Sequence, residues 1–268
     1  MTEEKTVMPY EEISKGVYLI NEYDGVNCYL VLGSEKALLI DCGTGTGDFK
    51  ATVGKITDLP LSVLATHGHV DHIGGADQFP FVYVYRDDCK TLNRLQTSLL
   101  LRKLFVCANG AMKARGVGAK DVKKGAYKPK LVPIDESFTL DLGSKTITVK
   151  HTKGHTVGSI AVIDEEDGII FSGDNVCDAL WMHMPGAASL EEWLPGAQWL
   201  YEKSLKYKIY WGHRTPRLES DYILQVINWG KEILASHGKN SFLAKTKLYP
   251  AREDGIIYKT NKVYKKGN

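Results

Sequence analysis

Three imidazoles and a carboxylate fall within six consecutive residues, His67-Gly68-His69-Val70-Asp71-His72. Neutral imidazole and carboxylate are ligand types that zinc, manganese and iron accept. The apolar run Leu61-Ser62-Val63-Leu64-Ala65 leads into the cluster, and Gly74-Gly75 follow it. A polar turn that happens to be rich in histidine is the alternative. So many ligand-type side chains in one turn argue instead for a metal site. The rest of the chain must then supply further ligands, a scaffold and a substrate pocket.

The elements that could position such a site are readable in outline. Short strands are predicted at 16–20, 27–32, 37–40, 61–65 and 81–85, from runs of Val, Ile, Leu and Tyr punctuated by Gly and Ser. The polar stretch 46–58 reads as a helix. Residues 87–106 carry Leu92, Leu95, Leu99, Leu100, Leu101, Leu104 and Phe105, and their spacing predicts an amphipathic helix. Residues 107–130, rich in Gly, Ala and Lys, read as loop or short helices. From Lys145 a period of two returns, with Ile147, Val149 and His151 on one face. A hairpin is predicted around 164–167. Helices are expected at 189–206 and 219–236, a strand at 208–211, and a weakly alternating final pair of strands within 243–265.

Three later positions repeat the chemistry of the first cluster. His155, Asp174 and His213 each lie just past a predicted strand, beside a glycine. Asp41 also follows a strand directly. Strands that deliver polar side chains through short loops build sites at a sheet edge. Any one of these residues alone reads as an ordinary turn residue; in this order, after the first cluster, they point to a shared site.

The combination His-x-His-x-Asp-His, Gly-His-Thr-x-Gly-Ser (154–159), Ser-Gly-Asp (172–174) and Gly-His (212–213), with Leu-Ile-Asp-x-Gly at 39–43, resembles the metallo-β-lactamase-fold superfamily. The resemblance spans about residues 15–215. It implies an α+β fold, a four-layer αββα sandwich, with two metals at one edge. The chain as a whole is expected to form one domain over 1–268, with a basic, mainly helical insert at 86–132 and a C-terminal extension at 214–268. By position, His67, His69 and His155 resemble the ligands of one ion. Asp71, His72 and His213 resemble those of the other, and Asp174 the carboxylate that bridges both. Asp41 resembles the carboxylate that orients a metal-bound histidine.

Seven ligands exceed the needs of one tetrahedral zinc. Two ions at ~3.5–4 Å could share a water, lower its pKa towards ~7 and supply hydroxide for attack on a carbonyl or phosphoryl centre. Asp71 could also accept or relay the proton. Zinc is the expected pair of ions, with iron and manganese as alternatives. Oxygen-reducing di-iron relatives have Glu where this chain has His69, and β-lactamases usually lack Asp at the bridging position. The expected reaction is therefore hydrolysis of a thioester, lactone or related carboxyl ester. The motifs resemble glyoxalase II-type thioesterases, although Gly-His-Arg at 212–214 differs from the Gly-His-Glu common there. A phosphodiesterase or nuclease-like enzyme, a β-lactamase-like amide hydrolase and a non-hydrolytic redox or sensor protein are the rivals.

The remaining features bear on partners. Residues 86–132 hold twelve Lys and Arg against three Asp, a net of +9, while the rest of the chain carries −7. The insert is expected to form a lid or wall whose leucines pack on the body and whose lysines attract an anionic small molecule. A solvated helical excursion is the plainer alternative. The insert has little of the aromatic interleaving that stacks bases, so nucleic acid is not the expected partner. Trp181, His183 and Met184 follow Asp174 closely and are expected to line the substrate pocket. His151 is expected to pack, and His237 to end a helix before Gly238. Five scattered cysteines without a CxxC pair, no secretory signal in Met1–Lys5 and no run of ~18 apolar residues predict a cytoplasmic chain with no membrane span. The oligomeric state is open, a dimer included.

Overall fold

The computed structural model describes residues 7–91, 93–214 and 216–266. The first half of the chain runs through β1 (Tyr10–Ser14), β2 (Val17–Asn21), β3 (Asn27–Leu32), β4 (Ala37–Ile40), α1 (Phe49–Val53), β5 (Leu61–Leu64), α2 (Val70–Ile73) and β6 (Val82–Tyr85). Then come α3 (Arg86–Thr91), α4 (Asn93–Gln96), α5 (Leu99–Ala108), α6 (Gly110–Ala114) and β7 (Leu131–Ile134). The second half holds β8 (Thr139–Asp141), β9 (Thr146–His151), β10 (Ile160–Asp164), β11 (Ile169–Phe171), β12 (Trp181–Met182), α7 (Leu190–Ser204), β13 (Lys208–Tyr210), β14 (Arg217–Leu218), α8 (Ser220–His237), β15 (Thr246–Tyr249) and β16 (Ile256–Lys259).

Two large sheets stack face to face. The first has the order β1-β2-β3-β4-β5-β6-β7, and the second β14-β13-β11-β10-β9-β8. Alternate residues of each strand face opposite layers. Val17, Leu19, Tyr29, Val31, Leu38 and Ile40 of the first sheet meet Ile147, Val149, Ile160, Val162, Ile169 and Phe171 of the second. The opposite face of the first sheet, through Ile20, Leu30, Leu39 and Val63, packs on Phe49, Val53 and Ile73. The outer face of the second, through Ile163, Ile170 and Ile209, packs on Trp193, Leu200, Ile223 and Ile227 of α7 and α8. This is the four-layer αββα arrangement. Strands covered on both faces lose polar alternation, which is why β4 reads Ala-Leu-Leu-Ile with every residue buried.

Strand direction makes the site. β4, β5, β6 and β7 run parallel, so their carboxyl ends share one edge. In the second sheet β11 and β13 are also parallel. Segments leaving β4, β5, β6, β11 and β13 therefore converge on one rim, as parallel strand ends do in other α/β sheets.

The helices follow local signals. Ser189 and Glu192 form a reciprocal capping box at the start of α7, and α8 ends at Gly238 with φ +63°. The stretch expected to be one helix at 46–58 forms only α1, capped by Asp48. The helix expected at 87–106 is not continuous among the described residues. Thr97-Ser98 interrupts it, and Ser98 restarts it by accepting from the Leu101 N–H at 3.3 Å.

The insert differs from expectation in how it packs. Leu95, Leu99, Leu100 and Leu104 are exposed rather than packed on the body; Leu100 is 71% and Leu104 57% exposed. Leu92 lies outside the described residues. The buried face of α5 instead carries Arg102 and Val106. Arg102 Nε donates to Thr44 O (2.7 Å), Nη1 to Asp77 Oδ2 (2.7 Å), and Nη2 to Gly45 O (3.1 Å) and Lys123 O (2.7 Å). Satisfying a buried guanidinium decides which way the helix turns, and the leucines are left outside.

The C-terminal segment is woven in. β16 pairs with β12, and Ile256, Tyr258 and Val263 join the core beneath α7 and α8.

Two substitutions test this account of the insert. Arg102→Leu leaves Asp77 buried without its cationic partner and should lower unfolding free energy by about 3–5 kcal/mol. Leu100→Ser should change it by no more than about 0.5 kcal/mol. Urea denaturation measures both, and a larger loss for Leu100→Ser than for Arg102→Leu would contradict the packing described.

Candidate metal centre

Seven side chains meet at the rim. His67 follows β5, and His69 is the N-cap of α2, the helix that carries Asp71 and His72. His155 comes from the β9–β10 connection, Asp174 from the segment after β11, and His213 from the one after β13. Ring centroids of His67 lie 4.9 Å from His69, 4.8 Å from His155 and 3.9 Å from His72. Asp174 Oδ2 is 3.0 Å from His213 Nε2, 3.5 Å from His72 Nε2 and 3.9 Å from His155 Nε2. Asp71 Oδ2 is 3.5 Å from His213 Nε2 and 3.9 Å from His72 Nε2. The donor atoms fall into three groups of mutual separation within 4.8 Å: His67/His69/His155, His67/His72/Asp174 and Asp71/His72/His213.

Partners on the outer side of four of the rings fix their tautomers, assigned from the hydrogen-bond network. His72 Nδ1 lies 2.8 Å from Asp41 Oδ2 and His213 Nδ1 2.8 Å from Gly25 O, so both donate outward. His67 Nδ1 is 3.2 Å from Thr66 Oγ1, which itself donates to Asp41. His69 Nε2 donates to Pro185 O at 2.9 Å. Each ring so held turns its other nitrogen inward as a lone-pair donor. Asp41 thus serves two histidines, and its backbone takes φ +63° to reach them. Left-handed backbone in a residue other than glycine collects at functional sites.

The electrostatics sort the donors by position. Burial and the neighbouring imidazoles hold His67 and His155 well below the usual histidine range. Burial also opposes charge on His72, but Asp41, Asp174 and Asp71 outweigh it and raise its pKa. His213 is raised against burial by Asp174 and Asp71. Burial alone would push the Asp174 carboxyl up; His213 and His72 pull it well below the usual carboxylate range.

The donor set fits divalent metal. His67 Nε2, His72 Nε2 and Asp174 Oδ1 are buried with no hydrogen-bond partner among the described residues. His69 Nδ1 and His155 Nε2 stand 2.8 Å apart, a distance that needs a shared proton or a cation between two lone pairs. Space is cleared for the cluster as well. A Cβ on Gly212 would fall 2.4 Å from Asp174 Oδ1 and 2.7 Å from His72 Cε1.

The structure brings together Asp41, His67, His69, Asp71, His72, His155, Asp174 and His213. It treats the expected pocket residues differently. Trp181 and His183 pack against each other with ring centroids 5.8 Å apart, and Trp181 pairs with Ile257 of β16. Burial and Lys259 lower the His183 pKa. The contact from this segment to the cluster comes from the backbone of Pro185, next to Met184. His151 packs as expected, its ring 4.3 Å from Tyr85 and its Nε2 donating to Val157 O. Sequence reading passed over Thr66, Asn175 and Asp88. Asn175 Oδ1 accepts from His155 N at 3.0 Å and its Nδ2 donates to Thr152 O. Asp88 lies just past β6, the strand-end position that marked the other residues, but an acid in a helix's first turn has an ordinary explanation.

A family model for the metallo-beta-lactamase superfamily matches residues 22–213, a span that contains every residue of the cluster. The chain belongs to the metallo-beta-lactamase superfamily. Among curated superfamily relatives, the acyl-coenzyme A thioesterase MBLAC2 of Homo sapiens is 30% identical over 203 residues, covering 69% of each chain. The MBLAC2 of Gallus gallus is 29% identical over 243 residues, covering 80% of this chain and 86% of that protein. Solved structures share the fold. A metallo-beta-lactamase family protein from Thermus thermophilus superposes with a TM-score of 0.60 at 18% identity, over 84% of this chain and 83% of that one. A metallo-beta-lactamase from Pontibacter korlensis gives 0.55 at 20% identity, over 82% and 97%.

The glycine at 212 gives a direct test of the cluster's packing. Gly212→Ala should weaken binding of divalent metal by about tenfold or more, because the ligand side chains must shift. Chelator competition reads the affinity; wild-type affinity would mean the ligands accommodate a methyl group.

Proposed function

We propose that this superfamily hydrolase holds two divalent ions and cleaves a thioester of the acyl-coenzyme A class. The observation that carries the substrate class is the likeness to MBLAC2 thioesterases over two thirds or more of both chains. In this reading His67, His69 and His155 hold one ion, and Asp71, His72 and His213 the other. Asp174 would be shared by the two, a role supported by its grouping with His67 and His72. Zinc suits the donor set, and iron and manganese accept it too.

Divalent ions held by these residues would supply Lewis-acid polarisation of the thioester carbonyl and lower the pKa of a nearby water. The chain's own residues do the rest. Asp41 and Thr66 lock the imidazoles of His72 and His67 through their outer nitrogens. Asp71, whose Oδ2 faces His213 and His72, would hold the second ion through that oxygen and could accept or relay a proton through its carboxylate. Water adds to the carbonyl carbon, the carbon–sulfur bond breaks, and carboxylic acid and thiol leave.

The insert fits an anionic substrate without a leucine-packed lid. Lys50, Lys123 and Lys124 line a cavity of about 210 Å³ with Gly45, Thr46 and Gly47, the loop that Arg102 ties to α5. Clustered lysines raise the concentration of phosphate-bearing molecules near the surface that carries them, and Asp48 on the same lining offsets part of that charge.

Metal analysis followed by a hydrolase panel tests the reading. About two ions per chain with chelator-sensitive thioester turnover is the expected result. Cleavage of bis(nitrophenyl)phosphate alone would favour a phosphodiesterase, and turnover of a β-lactam alone an amide hydrolase. Asp174→Ala should lose metal and activity together, and retention of both would remove Asp174 from between the ions. Converting Lys123, Lys124 and Lys128 to Gln should raise KM for an acyl-coenzyme A and leave KM for an uncharged thioester unchanged; equal KM values for the acyl-coenzyme A would exclude steering by the insert.

A further inference from the structure

Asp88 is a buried carboxylate that the proposed chemistry does not use. It is 1% exposed and sits in the first turn of α3, just beyond β6. Its Oδ2 accepts from Gly68 N at 2.7 Å and from Thr156 Oγ1 at 2.6 Å. Its Oδ1 accepts from Gly158 N at 2.8 Å. Gly68 lies between His67 and His69 in the segment leaving the first sheet. Thr156 adjoins His155 in the connection between two strands of the second. One side chain therefore ties together the two loops that bring His67, His69 and His155 to a common point.

We propose that Asp88 is a positioning residue for the first ion site, acting as a cross-tie that sets His67 and His69 against His155. The inference rests on the two-ion reading above. Its three partners are all donors, and an ionised carboxylate offers only acceptors. An amide would turn an NH2 towards at least one N–H. Burial raises the Asp88 carboxyl, and the bonds from Thr156, Gly68 and Gly158 act against that. The fit is close: a Cβ on Gly158 would fall 2.5 Å from Asp88 Cγ.

The cross-tie also accounts for the Gly-His-Thr-x-Gly-Ser run at 154–159. His155 is the donor to the cluster. Thr156 and Gly158 supply a hydroxyl and an N–H to Asp88. Ser159 Oγ accepts from Thr156 N at 2.9 Å and closes the turn.

The test uses the full chain with zinc alone as the probe. Site-resolved affinities come from chelator competition, and the visible absorption of the cobalt(II)-substituted protein reports ligand geometry. Asp88→Asn should weaken one of the two zinc sites by about 10–100-fold and leave the other unchanged, with a shifted cobalt spectrum. Thr156→Val removes a single hydroxyl donor and should weaken the same site by less. Thr156→Val carries the test if Asp88→Asn does not fold. Two zinc ions at wild-type affinity in the variants, or equal losses at both sites, would overturn the proposal. A wild-type chain that binds two zinc ions and hydrolyses no thioester would refute the substrate reading while leaving this measurement intact.

Discussion

Packing five imidazoles and two carboxylates together, largely away from water, is the constraint on which the rest of the structure depends. Buried polar groups cost free energy unless each has a partner. Here the outer nitrogens of four rings find one: Asp41 for His72, Gly25 O for His213, Thr66 for His67 and Pro185 O for His69. The inner atoms have only one another. His69 Nδ1 and His155 Nε2 face each other at 2.8 Å, an arrangement that a shared proton satisfies and that a cation could take over. Both sheets are recruited to hold that arrangement, and neither could supply it alone.

Much of this is readable in the sequence, for a physical reason. Metal chemistry accepts few side-chain types, so the His67–His72 stretch stands out against any background. Strand ends are marked by apolar runs that stop at Gly and polar residues, so Asp41, His155, Asp174 and His213 can be placed without coordinates. The layers are legible through the resemblance and through fully buried strands such as β4. What the sequence hides are the supports. Asp88, Asn175 and Thr66 act through hydrogen bonds within loops, and any Asp, Asn or Thr near a turn reads the same way on paper.

The insert shows the opposite failure. Leucine spacing predicts a face packed on the body, yet the buried face belongs to Arg102. Periodicity reports that a helix has two sides; it does not report which side the protein covers. A single guanidinium with four partners on the 44–45 loop, Asp77 and Lys123 outweighs several leucines. Trp181 and His183 are near Asp174 in sequence, and the pairing of β12 with β16 sets Trp181 beside Ile257, a contact that no local sequence pattern announces.

The cluster's donors are drawn from positions 67 to 213, and its closest pair, His69 with His155, joins residues 86 apart in the chain. Contacts of such high sequence separation form only when most loop-closure entropy has already been spent. The metal centre is therefore a product of the finished sandwich and not a seed for it. An ion that binds only the completed fold draws the population towards it by mass action. In this chain, metal supply and folding yield should rise and fall together.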